Sequence, residues 1–491
     1  MVGGGISGLT ASLLFGLLGH KVLLVEKSAR LGGSMARFTL QGVPFDTGFH
    51  FTGDFSKGSL LNDMLKVLGV VDEIESMPFT ADDCNCFVFE ADGTRYSFAT
   101  EAEAFCRQVK NLFSEDSDGI TEFFRRMYDI CNRTVNMDLR KINDSPDLLD
   151  EDYISLQSVL DELFGESKLK AILSAYCLCY GVSPDEVSFA NHSRMSRDLH
   201  TRLLRVKGGG GAFVNAFNKA LSRAGVDVLC NRYITSCEDV VDKKVGSLVL
   251  NTGERIRFTN CLFTIHPWSV AEILPHEYLR KAFLDRVSSF ESSIGFFSVF
   301  GVFDELDIID DGMMTLFPDD HLNSWFEEGR LERDAALSII SGIECVGDEK
   351  YRTFTLFEAS PVGDFKEWAE STVGARAEGY QCYKQRKTER IKERLIKQVP
   401  QLAGHMKILA SSTPLTFRDY LNSPDGSAYG VKQKIGQYNL FGKLPLKNLY
   451  VAGQSALLPG LTGAMMSSFI TARGLVDKDK LREFVCRRLD K

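Results

Sequence analysis

The first residues of the chain combine the types and the spacing of a nucleotide site. The run Gly3-Gly4-Gly5-Ile6-Ser7-Gly8 fits the spacing Gly-x-Gly-x-x-Gly and precedes an apolar helical pattern. Glycine permits a tight turn, lets backbone approach a pyrophosphate and packs a helix closely on a strand. The free N–H groups at the start of the helix can bind phosphate charge. We predict that a dinucleotide pyrophosphate lies against Gly3, Gly5, Ile6, Ser7 and Gly8.

A second apolar run and a basic loop follow that helix. Lys21-Val22-Leu23-Leu24-Val25 has the pattern of a strand, and Glu26 stands at its end. A carboxylate at this position can accept hydrogen bonds from a ribose. The loop Arg30-Leu31-Gly32-Gly33 resembles the extended fingerprint of FAD proteins more than that of NAD dehydrogenases. FAD is therefore the predicted cofactor.

The strand that should carry the glycine loop is short. Only Met1 and Val2 precede Gly3, whereas a strand usually has about five residues. We expect a start codon assigned too late or a clipped chain. A product that truly began here would have a weaker fold and a weaker FAD site.

Composition limits the class of protein. The 491 residues suit two interleaved domains, and the net charge of −9 comes with no basic block that would track nucleic acid. The 12 cysteines are scattered and no secretory signal is visible, so reduced thiols and a cytoplasmic location are expected. No apolar run reaches the ~18 residues of a membrane span. No metal-ligand spacing stands out, and no metal is predicted.

The nucleotide domain is predicted in three pieces. They are residues 1–55, 207–265 and 448–491, and each contains a strand or a glycine corner followed by a helical pattern. Residues 56–206 and 266–447 lie between them and are predicted to form a substrate domain of sheet backed by helices. Within the second insert, the run from Phe296 to Phe303 is rich in phenylalanine. It could line an apolar tunnel or form a buried strand.

Four further stretches carry a family resemblance over nearly the whole chain. They are Phe45-Asp46-Thr47-Gly48-Phe49-His50-Phe51, Tyr180-Gly181-Val182-Ser183-Pro184, Lys207 to Phe213, and Leu449 through Met465. The chain resembles the phytoene desaturase, carotene isomerase and retinol saturase group of FAD oxidoreductases. Within the group it is most similar to the retinol saturase branch, because Gly453 is followed by Gln454 and because of the segment Ser427-Ala428-Tyr429-Gly430.

The resemblance implies a fold and a set of cofactor residues. It implies an α/β, glutathione reductase-like FAD-binding (Rossmann-type) fold with an inserted α+β substrate domain. Glu26 and Lys27 would lie at the adenosine ribose, Ile234 would contact adenine through its backbone, and Gly453 with Gln454 would meet the ribityl region. The flavin itself would lie near a further set of residues, Arg30, Gly33, Ser34, Leu461, Thr462, Gly463 and Ala464.

The implied chemistry is the saturation, desaturation or isomerisation of C=C bonds in an apolar polyene or isoprenoid substrate. Flavin N5 would relay the hydride, and His50 and Tyr429 are the candidate catalytic residues for the proton. The electron donor or acceptor is open between a quinone, oxygen, NAD(P)H and a protein carrier. Because such substrates dissolve in membranes, peripheral contact with the inner face of a bilayer is compatible with this hypothesis.

Two other classes share the same fold. Flavin amine oxidases and protoporphyrinogen oxidases would carry the same glycine run, so residues 1–33 do not separate them from polyene enzymes. Rab escort and GDP-dissociation inhibitor proteins bind prenyl chains without flavin or catalysis. The loop Arg30 to Gly33 and the segment Gly453 to Ala464 argue against such a binding protein, which would not need both.

Overall fold

The structure of this chain is a computed structural model, which describes residues 1–79, 84–142, 144, 148–329 and 331–491. The α-helices of the described residues are α1 Ile6–Leu17, α2 Leu60–Leu68, α3 Ala102–Leu112, α4 Ser117–Arg133, α5 Leu156–Leu163, α6 Ser167–Ser174, α7 Phe189–Thr201, α8 Gly209–Arg223, α9 Pro267–Ile273, α10 Lys281–Ser288, α11 Glu378–Gln398, α12 Pro414–Leu421, α13 Gly460–Ala472 and α14 Lys478–Leu489. The strands are β1 Leu23–Val25, β2 Arg37–Leu40, β3 Val43–Asp46, β4 Ser76–Pro78, β5 Asn85–Phe89, β6 Thr94–Phe98, β7 Leu204–Val206, β8 Asp227–Leu229, β9 Ile234–Glu238, β10 Ser247–Leu250, β11 Arg255–Arg257, β12 Cys261–Phe263, β13 Gly295–Phe303, β14 Gly312–Phe317, β15 Leu337–Val346, β16 Glu349–Ser360, β17 Met406–Ser412, β18 Gly442–Lys443 and β19 Leu449–Val451.

A parallel sheet assembled from distant parts of the chain carries the glycine loop. Strand β1 pairs with β8, and β12 pairs with β19, both in parallel. Val2 lies between these pairs, with parallel bridges to Val25 and to Phe263. The backbone N–H of Val2 donates to the carbonyl of Leu262 at 3.0 Å. The glycine loop therefore leaves the carboxyl end of the middle of this sheet, where open α/β sheets bind ligands.

Helices cover this sheet with a continuous apolar core. Side chains of α1, α2, α8, α13 and α14 form one buried cluster, in which Leu9, Met64 and Phe217 have no solvent exposure. Helix α1 has almost no polar face, which fits a helix buried on all sides. The α/β, Rossmann-type fold class predicted from the sequence is confirmed.

A second, larger sheet forms the other half of the molecule. Its strand order is β17-β13-β16-β15-β14-β5-β6, and β14 with β5 is its parallel pair. Helix α11 packs on one face through buried Tyr383 and Leu395, which cluster with Phe297 and Val299 of β13. The opposite face presents Phe296 and Phe300 to a large cavity. Both sequence hypotheses for the phenylalanine run hold, because alternate residues of one strand face opposite ways.

The division into two domains remains a prediction. Helix α2 bears on the position of the boundary between them. Helix α2 begins at residue 60, inside the predicted substrate domain. Its buried side chains nevertheless belong to the same apolar cluster as α1 and α13. A boundary drawn after α2 would place this helix and its apolar contacts with α1 and α13 within the nucleotide half.

Candidate functional site

The start of α1 can serve as a cradle for an anion. Gly5 is its N-cap residue, no side chain caps it, and its first turn contains no acidic residue. A Cβ atom built on Gly5 would meet no atom within 4 Å, so this glycine faces open space. Unpaired N–H groups and the positive end of the helix dipole favour phosphate here.

The other two glycines of the run, Gly3 and Gly8, allow two backbone segments to pack closely against each other. Gly3 has a φ of 103°, a conformation that favours glycine. A Cβ on Gly8 would overlap the carbonyl oxygen of Gly3. Gly8 therefore lets α1 pack against the sheet, and its contribution to a cofactor site is indirect.

Two backbone donors orient the carboxylate of Glu26. Its oxygens accept hydrogen bonds from the N–H groups of Gly4 and Ser28, both at 2.6 Å. The remaining lone pairs are available for hydroxyl donors in the cavity that Glu26 lines. Nearby, the Lys27 ammonium lies 5.6 Å from the ring centroid of Tyr233, just before Ile234.

The basic loop folds back onto the glycine loop. The N–H of Gly32 donates to the carbonyl of Gly4 at 2.8 Å. Gly33 has a φ of 54°, and a Cβ there would lie 3.2 Å from the Cα of Gly5. Arg30 and Ser34 line the cavity on either side of this contact.

The C-terminal segment closes the site from the other side. Ser7 Oγ donates to the carbonyl of Ala464 at 2.9 Å, and Ser468 Oγ donates to the carbonyl of Ser7 at 2.8 Å. These bonds join α1 to α13 across more than 450 residues of sequence. The N–H of Gly453 donates to Ser467 Oγ at 2.8 Å. Gln454 and the segment 461–464 therefore face the same space as the glycine loop.

One cavity of about 1950 Å³ joins these segments. Every residue proposed from the sequence for cofactor or catalysis lines it, with the exception of Gly8. Its other wall is largely apolar and belongs to the second sheet and its neighbours, including Phe38, Phe51, Met313, Ile340 and Phe357. The cavity is larger than the roughly 300–1,000 Å³ of a typical single-ligand pocket.

His50 lies in this apolar wall as a neutral imidazole. Its ring centroid is 4.4 Å from that of Phe357, and its Nε2 is buried without a partner among the described residues. Burial, together with the charges of Arg37 and Arg205, lowers the pKa of His50 to about 3. The side chain can donate or accept one hydrogen bond toward the cavity but does not hold a positive charge.

Asp46 holds the segment that carries His50. Its carboxylate accepts a hydrogen bond at 2.8 Å from the N–H of Gly210, in the first turn of α8. It also lies 3.3 Å from the Nε of Arg37. Burial raises the pKa of Asp46 to about 6, although Arg37 and the Gly210 N–H oppose the shift. Asp46 thus links β3 to the glycine run at residues 208–211.

Tyr429 reaches the cavity from a separate loop. Its N–H donates to Ser293 Oγ at 3.1 Å, and its ring meets Phe296 edge to face at 6.1 Å. A Cβ on Gly181 would lie 3.0 Å from the ring, so this glycine makes room for it. Burial raises the pKa of Tyr429 well above 10, and the phenol stays protonated.

The sequence analysis missed a buried pair beside the glycine loop. His266 follows β12 and lines the cavity, and its Nε2 lies 3.7 Å from a carboxylate oxygen of Asp425. Burial lowers the pKa of His266 against the attraction of Asp425. The position of His266, three residues after a buried strand, could have marked it as a candidate from the sequence. Its pairing with Asp425, 159 positions away, could not have been read from the sequence.

No group of histidine, cysteine and acidic residues in the described part of the chain could hold a metal ion. The twelve cysteines are free thiols. No helix among the described residues is long and apolar enough to span a bilayer.

Comparison with known proteins places the chain among oxidoreductases. Residues 1–68 match the family described as NAD(P)-binding Rossmann-like domain. The all-trans-retinol 13,14-reductase of Macaca fascicularis is 22% identical over 525 residues, covering 98% of this chain and 85% of that protein. The chain is thus similar to that reductase over nearly its whole length.

A second relative and a solved structure also match. The chloroplastic prolycopene isomerase 2 of an Oncidium hybrid cultivar is 23% identical, over 94% of this chain and 80% of its own length. Among solved structures, an oxidoreductase from Methanosarcina mazei superposes with a TM-score of 0.67 at 14% identity, covering 96% of this chain and 99% of its own. At that identity the superposition shows the fold alone.

Proposed function

We propose that this protein is an FAD-dependent oxidoreductase that saturates, desaturates or isomerises C=C bonds of an apolar polyene or isoprenoid. The observation that carries the proposal is a single cavity. It joins the cradle at the start of α1 to a wall built from phenylalanine and other apolar side chains. The names of the two relatives, a retinol reductase and a prolycopene isomerase, support the class of substrate.

The residues at the nucleotide end fit FAD. Gly5, Ile6 and Ser7 would hold the pyrophosphate, because the space above Gly5 is open and the amides are uncapped. Glu26 would accept the ribose hydroxyls, and the backbone at Ile234 would meet the adenine. Gly453, Gln454 and the segment 461–464 would border the ribityl chain and the isoalloxazine. When bound there, FAD supplies hydride transfer at its N5 atom.

The protein's own part is to orient the chain and exclude water. Phe296, Phe300 and Phe357 present a continuous apolar surface to the cavity. The neutral imidazole of His50 and the protonated phenol of Tyr429 can each place one hydrogen bond beside the substrate. Neither group is charged near neutral pH. A proton for saturation therefore comes from water, either directly or by way of the Tyr429 hydroxyl or the His50 imidazole.

The partners follow from the same hypothesis. The substrate is a small hydrophobic molecule. The electron partner is a quinone, oxygen, NAD(P)H or a protein carrier. Peripheral contact with a membrane would deliver such a substrate, and no nucleic acid is involved.

A substrate panel on the FAD-reconstituted protein tests the class of reaction. A conjugated polyene, an amine and a porphyrinogen are each incubated with the holoprotein, the polyene with a reductant and, separately, with an electron acceptor, and the other two with oxygen. We expect loss or shift of the polyene spectrum alone. Turnover of the amine or of the porphyrinogen, with the polyene untouched, would overturn the proposal in favour of an oxidase of the same fold. Failure to bind FAD would favour a prenyl-binding protein.

A further inference from the structure

One part of the cavity wall is cationic, unlike the phenylalanine wall. Arg376, Lys384 and Arg418 all line the cavity, and Asp419 is the carboxylate among them. Lys384 belongs to the first two turns of α11, while Arg418 and Asp419 belong to α12. We call these four residues the cationic wall.

The two arginines of the cationic wall are already engaged. Arg376 forms an ion pair with Asp419 and donates to Ser371 Oγ at 2.6 Å. Arg418 donates to Asp419 at 2.9 Å and to the carbonyl of Ser371 at 2.8 Å. These bonds tie α12 to the segment before α11, and they use up the single carboxylate.

Lys384 is left over from this arrangement. Its ammonium has no ion pair and no hydrogen bond to any part of the chain that the structure describes. It is partly buried and lies 5.8 Å from the ring centroid of Tyr380, over which Arg376 also stacks at 4.9 Å. Burial lowers the pKa of Lys384, and Arg376 lowers it further. A partly buried ammonium without an acceptor is costly, and an anion in the cavity would remove that cost.

The surroundings specify the rest of the ligand. Ala410 and Ser411 of β17 line the same cavity as Lys384, and Ala410 pairs in register with Phe300 of the phenylalanine wall. At the rim, Tyr420 and Val373 expose apolar surface, with 65% and 54% of their area accessible. A ligand that is anionic at one end and apolar elsewhere would satisfy both regions. One free ammonium suits a singly charged carboxylate, whereas a phosphate calls for the forked donors that the arginines no longer offer.

We propose that Lys384 binds the carboxylate at one end of an apolar, chain-like ligand of the cavity. This inference deepens the proposed function and rests on it for the nature of the chain. It names acids of polyenes or isoprenoids as the preferred ligands, as substrates or as products.

Binding measurements on the FAD-reconstituted protein test the proposal. All-trans-retinoate and all-trans-retinol share one apolar chain and differ in the charge of its end group, so titrations with each isolate the carboxylate. Lys384→Gln should weaken retinoate binding about tenfold or more, because a hydrogen bond to a charged group is lost. Retinol binding should change by less than about twofold. Lys384→Arg, which keeps the charge, should retain most of the affinity for retinoate.

The matched control is Lys397→Gln, an exposed lysine of the same helix that does not line the cavity. It should alter neither affinity. Equal losses for retinoate and retinol in Lys384→Gln would overturn the proposal, since the effect would then be structural. A loss of bound FAD in that variant would also overturn it, by assigning Lys384 to the cofactor. Displacement of retinoate from the wild type by millimolar inorganic phosphate would contradict the choice of a carboxylate.

The proposed function fails in a distinguishable way. If it alone were wrong, the wild type would bind retinoate through Lys384 but would change no polyene spectrum. If the inference alone were wrong, polyene turnover would persist and Lys384→Gln would not discriminate between the acid and the alcohol.

Discussion

At the scale of single residues, His50 shows how burial restricts a catalytic role. Its imidazole has a pKa of about 3, well below the ordinary value, and its Nε2 has no partner among the described residues. It therefore remains neutral throughout the physiological range. The contribution to catalysis that we predict for His50 is a hydrogen bond and not an imidazolium proton.

Two substitutions separate these roles. His50→Leu should lower kcat about tenfold, equivalent to one hydrogen bond of about 1.5 kcal/mol. His50→Gln, which retains a hydrogen-bonding group, should keep most of the activity. Titration of His50 should contribute no step to the pH–rate profile of the wild type between pH 5 and 8. A step in this range that is present in the wild type and absent in His50→Gln would contradict a neutral imidazole.

Gly5 offers a second residue-scale prediction. Gly5→Val should weaken FAD binding by about one to two orders of magnitude, because an added side chain enters the space above the helix N-terminus and overpacking costs about 1–3 kcal/mol. The Tm of the apoprotein should be unchanged, since no protein atom lies near the new Cβ. Titration with FAD measures the first effect, and thermal unfolding measures the second.

Two other glycines serve as controls for Gly5→Val. Gly165 also faces open space but lies away from the cavity, so Gly165→Val should leave FAD binding intact. Gly8→Ala should instead destabilise the whole fold, because its Cβ would overlap the Gly3 carbonyl. Normal FAD binding by Gly5→Val would contradict the prediction that the start of α1 holds the pyrophosphate.

Residue roles were predictable from sequence only where neighbouring positions cooperate. The glycine run and Glu26 lie within one strand–loop–helix unit, so their spacing alone indicates a nucleotide. His266 and Asp425 come together through tertiary packing, as does Lys384 with the cavity. Spacing in the sequence does not encode such distances.

At the scale of elements, helix α7 contains two histidines buried without charge. Burial lowers the pKa of both His192 and His200 to about 3. Neither ring nitrogen of His200 has a partner in the described structure, and aromatic rings such as Tyr176 and Phe124 surround it. Because unfolding restores an ordinary pKa near 6.5, each histidine contributes stability above that pH, and this stability is lost as the pH falls toward 3.

His200→Phe tests this reasoning. Below pH 6.5 this histidine lowers the unfolding free energy of the wild type by about 1.4 kcal/mol per pH unit, and the variant lacks this loss. At pH 5 the variant should therefore gain about 2 kcal/mol over the wild type. Denaturant unfolding at pH 5 and pH 7.5 measures the difference. The same substitution at the exposed His321 should change neither value. A gain of equal size at both pH values would indicate packing alone.

Element boundaries show what local sequence can and cannot supply. The apolar period predicts a helix over residues 60–68, and α2 has these bounds, with Ser59 capping its start. The charged run predicts a helix over residues 374–398, but α11 begins at Glu378. The pattern after the glycine run predicts a helix from Ala212, but α8 begins at Gly209, where the distant carboxylate of Asp46 accepts a hydrogen bond from the N–H of Gly210 in its first turn. Local pattern set the first boundary, and a tertiary contact set the last.

At the scale of the whole molecule, the cavity is a product of topology. The sheet that carries the glycine loop joins residues 2, 23–25, 227–229, 261–263 and 449–451. The sequence patterns predicted that separate segments of the chain form the nucleotide half. The size of the shared cavity depends instead on how the second sheet lies above that half. Side chains from both inserted segments, such as Tyr180 and Phe357, complete the wall.

The most direct test is a single turnover without oxygen. The FAD-reconstituted protein, reduced in one sample and oxidised in another, is mixed with one equivalent of a conjugated polyene and followed at the flavin and polyene bands together. Saturation would reoxidise the reduced flavin, and desaturation would reduce the oxidised flavin, each at the rate of the polyene change and in equal amount. Isomerisation would shift the polyene spectrum and leave the redox state of the flavin as it began. We expect one of these three results. An unchanged polyene spectrum in both samples, with a reduced flavin that oxygen reoxidises at once, would contradict the proposed function.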